Sequence, residues 1–289
     1  MKYEYELILK TYCSEGESFF SIFDSVKTFI MKKIITSLLF LLIVSISFSQ
    51  LISHTSVRLS DQERDGYIEL EKFWSKIHQQ AIKDGYSQRW MIWEFIYADD
   101  KDAQGKPDFL IMNFYKDSIQ KSKSANLNVK EYARQVYKGE LSKSRFERKW
   151  NLPTGSRNFY ELERLDNTYW HGKIEEGMQI TLNAFKAVND DYEDYEMKFF
   201  KKWHEKSILD GSRKWWEFNK VLSSNLTTES STVGTPTHVT IDMFGRELTQ
   251  QDRQDFQNSL TFEDLMLRKN GAASRELLGR YQLKLLMFQ

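Results

Sequence analysis

Cysteine is almost missing from this chain. Its one copy, Cys13, stands near the start of 289 residues. Everything downstream of Cys13 is therefore without disulfides, Cys-ligated zinc or a thiol nucleophile. Proline is almost missing too, with three copies, and no low-complexity or collagen-like pattern is present. An excess of one charge is also missing. From Gln50 onward 36 Lys and Arg balance 36 Asp and Glu, which leaves no electrostatic footprint for nucleic acid or an anionic membrane. No Gly-rich phosphate loop, Ser nucleophile elbow or His-Glu-x-x-His zinc motif occurs. Asp99, Asp100 and Asp102 resemble the start of a calcium loop, but the Gly and the terminal Glu that such a loop needs do not follow. No metal site is expected.

One long apolar run stands out, within "MKKIITSLLFLLIVSISFSQ", residues 31 to 50. Lys32 and Lys33 precede an apolar stretch from Ile34 to Ile46, and small residues follow at Ser47 and Ser49. This is the layout of a secretory signal peptide cleaved after Ser49. A membrane anchor is the alternative, but the run is short for a span of ~20 residues and lacks a basic stop-transfer flank. The expectation is an exported protein, periplasmic or extracellular, with no stable membrane anchor after cleavage. Residues 31–49 form the signal. Met31 reads as the start, and residues 1–30 as a start-site artefact or a disordered extension.

What the chain does have is aromatics, 15% of all residues with eight Trp, and a repeat. "FWSKIHQQAIKDG" (73 to 85) is echoed by "FFKKWHEKSILDG" (199 to 211). At an offset of 126, Lys72, Phe73, His78, Ile82, Asp84, Gly85 and Trp90 match Lys198, Phe199, His204, Ile208, Asp210, Gly211 and Trp216. "PDFLIMNFYKD" (107 to 117) aligns with "PTHVTIDMFGR" (236 to 246), and "GSRNFYELERL" (155 to 165) with "ASRELLGRYQL" (273 to 283). Matches in one order over half a chain imply paired domains and not a solenoid of many short units.

Each copy reads as β-α-β-β-α-β. Leu70, Phe73, Trp74, Ile77 and Ala81 recur at helical spacing between about Tyr67 and Lys83, and the partner helix runs from about Tyr192 to Leu209. Asp-Gly stops both. Aromatic and branched strands follow at 89 to 97 and 214 to 222, then at 109 to 115 and 238 to 244. A second helical region is expected at about Val129 to Lys149 and Arg253 to Arg268. Closing strands are expected at 157 to 166 and 277 to 288. The leading strand is clear in copy two (178 to 188) and weak in copy one (51 to 59). The fold class is α+β: two tandem ferredoxin-like repeats, residues 50–172 and 173–289, whose antiparallel sheets pack together into a barrel-like core.

The motif aromatic-x-x-x-x-His-x-x-x-Ile-x-Asp-Gly, followed by a Trp-rich strand and an aromatic-ended strand after Pro, resembles the dimeric α+β barrel superfamily. The nearest types are NIPSNAP-like and stress-responsive barrel proteins and tandem exported bacterial ones. The signal ending "SFSQ" is similar to those of Bacteroidetes. The resemblance implies a fold, and with it a range of activities: cofactor-free monooxygenases, haem-handling enzymes and proteins with no assigned activity. Haem is the one cofactor it brings, and no motif for it is present.

Candidate site residues follow from two features. His78 and His204, one per copy, suit haem or metal ligation or general base work; equally, they suit packing at a helix end. On the third strands, Leu110, Met112 and Phe114, with Val239, Ile241 and Met243, form wholly apolar sets that should face the helices. The mixed sets should face the space between the sheets. Asn113, His238, Thr240 and Asp242 would then line a pocket, with Trp90, Trp93 and Trp216 nearby. The bland alternative is a filled core with satisfied polar groups. No catalytic residue is assigned. The expected function is an exported tandem barrel protein binding a small apolar or aromatic molecule between its sheets. A cofactor-independent monooxygenase or haem-handling oxidoreductase, and a cell-envelope interaction protein with a filled core, are the alternatives.

Overall fold

The computed structural model describes residues 50–289, apart from Asp61, His171 and 226–233. The expected signal peptide, residues 1–30 and Cys13 lie outside the described residues, as does part of the loop after the sixth strand. The first half runs β1 (Leu51–Arg58), α1 (Arg64–Lys83), β2 (Arg89–Ile96), the short α2 (Asp100–Ala103), β3 (Phe109–Tyr115), α3 (Ser118–Ala125), α4 (Val129–Val136), α5 (Lys143–Trp150) and β4 (Ser156–Asn167). The second runs β5 (Gln179–Ala187), α6 (Tyr192–Asp194), a π-helix (Tyr195–Phe200), α7 (Lys201–Leu209), β6 (Arg213–Ser224), β7 (His238–Phe244), α8 (Gln250–Ser259), α9 (Phe262–Ala273) and β8 (Arg275–Phe288).

The eight strands close into one antiparallel barrel in the order β1-β3-β2-β8-β5-β7-β6-β4. The fold is thus mixed α+β around a closed barrel. Inside each half the strands have the same order, β4-β1-β3-β2 and β8-β5-β7-β6. The halves are joined by backbone ladders at two seams, β2 with β8 and β4 with β6. Closure leaves neither sheet an open edge.

The interior holds Ile52, Met91, Trp93, Leu110, Met112, Phe114, Leu162, Ile180, Leu182, Val239, Ile241, Met243, Leu283 and Leu285, all buried. This inverts the parity expected for the third strands. Their wholly apolar sets face inward, and the mixed sets face the helices. The physical reason is closure. Eight strands around one axis supply neighbours for an inward side chain but little water. The outer face borders helices and loops that carry polar partners.

The helices occupy the outer face, unequally. In the first half, α1 buries Tyr67, Leu70, Phe73 and Ile77 against Trp90, Ile92, Phe109 and Ile111, with Phe146 of α5 closing the layer. In the second, the corresponding cluster is only Phe185, Tyr192, Trp216 and Phe218, and α7 and α8 bury no residue. Gly85 and Gly211 stop α1 and α7 with φ of 74° and 79°, where a β-carbon would be strained. The second helical regions are broken where one helix was expected. Ser142 caps a new start in the first half, and Thr261 forms a capping box in the second; each restarts a helix inside what periodicity alone would continue.

The π-helix has a sequence cause. Tyr67 and Glu71 match Tyr192 and Glu196 at an offset of 125, whereas Lys72, Phe73 and His78 match at 126. One extra residue, Met197, lies between the two registers, and the wide turn at Tyr195–Phe200 absorbs it. Both flanks keep their contacts. Glu71 and Glu196 are buried. Glu71 lies 3.8 Å from Arg157 at the start of β4, and Glu196 pairs with Arg275 at the start of β8. Burial raises the Glu71 carboxyl above its ordinary value, against a bond from Tyr67 and the Arg157 charge.

Candidate functional site

The sequence candidates fall into three places. In the first half, α1 lays His78 flat on Trp90, with ring centroids 5.0 Å apart and planes 10° from parallel. Asn113 is the register partner of Trp90 across β2 and β3. All three stand in the helix-facing layer. Burial drives the His78 ring down to about 3, so the imidazole is neutral.

In the second half, His204 lies on Trp216 at 4.8 Å, and Trp216 pairs in register with Asp242. Here the layer is polar. Asn183 of β5 donates to Asp242 Oδ2 (2.9 Å) and to Thr240 Oγ1 (3.0 Å), and accepts from Arg280 Nε (2.9 Å). Arg213 pairs with Asp242. Its own Nε is buried with no hydrogen-bond partner, and burial lowers the guanidinium to about 10. Burial, helped by the Arg213 charge, holds His204 well below the usual imidazole range. His238 sits apart, at the start of β7. Its Nε2 is 3.1 Å from Glu193 and its Nδ1 2.9 Å from Thr237 Oγ1, between Phe218 and Tyr192.

Trp93 alone of the sequence candidates points into the barrel. Four residues that sequence reasoning passed over join it there. His54 follows Ile52 by two on β1 and pairs with Met112 and Tyr160. On β6, Glu217 and Asn219 alternate between Trp215 and Val221, opposite Ile241 and Val239. On β4, Arg164 follows Leu162 by two and pairs with Asn219. Glu217 and Asn219 have no exposed surface, and His54 keeps 3%. Arg164 forms an ion pair with Glu217, and Asn219 Nδ2 donates to Glu217 Oε1 at 2.9 Å. Glu217 Oε2 meets Arg164 only as an ion pair, and four further buried polar atoms there remain without a hydrogen-bond partner: His54 Nε2, Trp93 Nε1, Arg164 Nε and Asn219 Oδ1. Burial pushes His54 down to about 3. Alternation along β6 was the available signal: "WWEFNKV" places Glu and Asn in phase with Trp215 and Val221, a polar pair inside an apolar stripe.

A metal is not supported by clustering: among the described residues no three His, Cys, Asp or Glu side chains converge. A haem does not fit either histidine. A macrocycle at His78 would displace the packed layer of Tyr67, Phe73, Ile77 and Trp90. His204 is pressed on Trp216 beside the Arg213 cation, whose charge further disfavours a second cation on the ring.

No protein-family model matches the chain, and no curated protein matches it. Several solved structures are similar in outline. A candidate monooxygenase of Lactobacillus acidophilus NCFM is 10% identical, with 82% of this chain and 93% of that one covered and a TM-score of 0.48. Another, of Fusobacterium nucleatum, is 10% identical over 84% and 95%, at 0.47. A haem-binding protein of Thermus thermophilus is 10% identical over 83% and 92%, at 0.39. With every score below 0.5, the functional reading stands on this chain's own residues.

Proposed function

We propose that this is an exported α+β barrel protein, built of two ferredoxin-like copies in tandem and akin to the NIPSNAP and stress-responsive barrels, that binds a small apolar or aromatic molecule between its sheets. One observation carries the reading. The barrel interior is apolar on all eight strands, yet four buried polar atoms in it lack partners. A buried polar atom left unpaired costs about 1–3 kcal/mol, and native interiors hold few. A filled core with satisfied polar groups would not leave four in one barrel. Apolar walls with a few unmet polar groups describe a small-ligand site. Native mass spectrometry of the exported protein tests this. A mass excess released on unfolding supports it; a bare chain mass under gentle conditions, with no ligand recovered by extraction, overturns it.

A second reading has one observation of its own. The helix-facing layer of the second half is polar where the first is apolar, and it holds the unpartnered Arg213 Nε beside the neutral His204. This favours a cofactor-independent monooxygenase over a haem-handling oxidoreductase. Absorbance separates these two: a Soret band abolished by His204→Ala would restore haem, and a colourless protein with no titratable haem site removes it.

A further inference from the structure

The interior site can be read for the kind of group it takes, and this inference rests on the binding reading above. Glu217 organises one end of the barrel. One of its oxygens faces the Arg164 ion pair and the other accepts from Asn219 Nδ2. That second bond fixes the amide of Asn219, with nitrogen toward Glu217 and oxygen turned away. Arg164 spends its remaining terminal nitrogen on Gln50 Oε1. What is left is one donor, Arg164 Nε–H, and one acceptor, Asn219 Oδ1, on residues that are register partners across β4 and β6. The Arg164 guanidinium carbon lies 5.9 Å from the ring of Phe114 and 6.0 Å from that of Trp215. Aromatic walls therefore flank the donor-acceptor pair.

We propose that the molecule bound between the sheets is neutral, with an apolar body and one hydroxyl or amide group that accepts from Arg164 Nε and donates to Asn219 Oδ1. The charges argue for neutrality. Arg164 and Glu217 cancel, so a carboxylate would stand as an unmatched anion beside a fully buried Glu217, and an ammonium would face Arg164. Either is costly away from water. Arg89 enters the same end on β2, where burial of part of its side chain and the Arg164 charge lower its guanidinium against the pull of Glu217, but its surface reaches solvent, which hydrates that charge without a ligand anion. A hydroxyl or amide satisfies the Arg164 and Asn219 atoms, two of the four unmet ones, at once with no charge. A buried water would satisfy them as well, and is the occupant to be distinguished.

Three probes that share one tolyl body decide: p-cresol, toluene and p-toluate, titrated into the intact protein while the methyl resonances of Ile52, Leu162 and Ile241 are followed. The expected result is that p-cresol shifts these interior methyls and binds about tenfold or more tighter than toluene, as an unpaired buried donor and acceptor would impose. p-Toluate should bind no better than toluene. Asn219→Leu should collapse the cresol-to-toluene ratio toward one; if that variant does not fold, the wild-type ratio decides alone. Equal binding of p-cresol and toluene leaves the interior a ligand site but overturns the hydroxyl assignment. Preference for p-toluate overturns neutrality. No interior methyl shift with any probe means that water alone occupies the site, and overturns this inference and the binding reading together.

Discussion

Glu217 shows how single side chains balance this core. It has no exposed surface and holds both Arg164 and Asn219. Removing it leaves the Arg164 cation partly buried and unpaired. Glu217→Leu should therefore lower stability by about 3–5 kcal/mol in urea unfolding. The double variant Arg164→Leu with Glu217→Leu should recover most of that loss, because no lone charge remains. A double variant no more stable than Glu217→Leu would contradict the pairing. His54 makes a second prediction. Its folded value, about 3, lies below the ordinary 6.5, so the unfolded chain takes up a proton that the folded one refuses. Stability is then fully present above about pH 6.5 and declines on acidification toward pH 3. His54→Leu should remove from the acid limb up to about 1.4 kcal/mol per pH unit; an unchanged limb would show that His54 is protonated in the fold. Little of this was legible beforehand. The helix histidines stand out because they recur, and recurrence means a His ring packed on the corresponding Trp in both halves. The interior groups do not recur, and parity finds them only once a strand's inward face is known.

Helices and strands were more readable than single side chains. Helices α1 and α7, their Gly stops and most of the strands follow from spacing and composition. The inward face did not, because a closed barrel reverses the usual rule for a sheet covered on one side by helices. The breaks in the second helical regions were missed because caps such as Ser142 and Thr261 lie inside otherwise periodic stretches. The π-helix was hidden in a repeat aligned at a single offset. Its origin in one surplus residue has a direct consequence. Deleting Met197 should be tolerated, with a stability change within about 1 kcal/mol, as the turn relaxes to an α-helix. Deleting Lys72 from α1, which has no surplus, should cost about 3 kcal/mol or more, since Phe73 and Ile77 would rotate off the core. Equal costs for the two deletions, compared by thermal or urea unfolding, would refute the insertion.

Across the barrel as a whole, closure follows from two halves of one strand order: each meets the other at both edges of its sheet, so the second half supplies what the first lacks. Export is read from residues 31 to 50 alone. On the proposed export, the mature protein should begin at Gln50 when its N-terminus is sequenced; a terminus far upstream would mean that the apolar run is retained. The central claim is that the space between the sheets holds a small molecule. The most direct measurement is a high-resolution crystal structure of the protein purified after export, with attention to density inside the barrel. The expected result is continuous non-protein density that reaches both Arg164 Nε and Asn219 Oδ1 and lies against Phe114 and Trp215. A barrel packed solid by its own side chains, with those atoms paired to protein or to single waters, would contradict it.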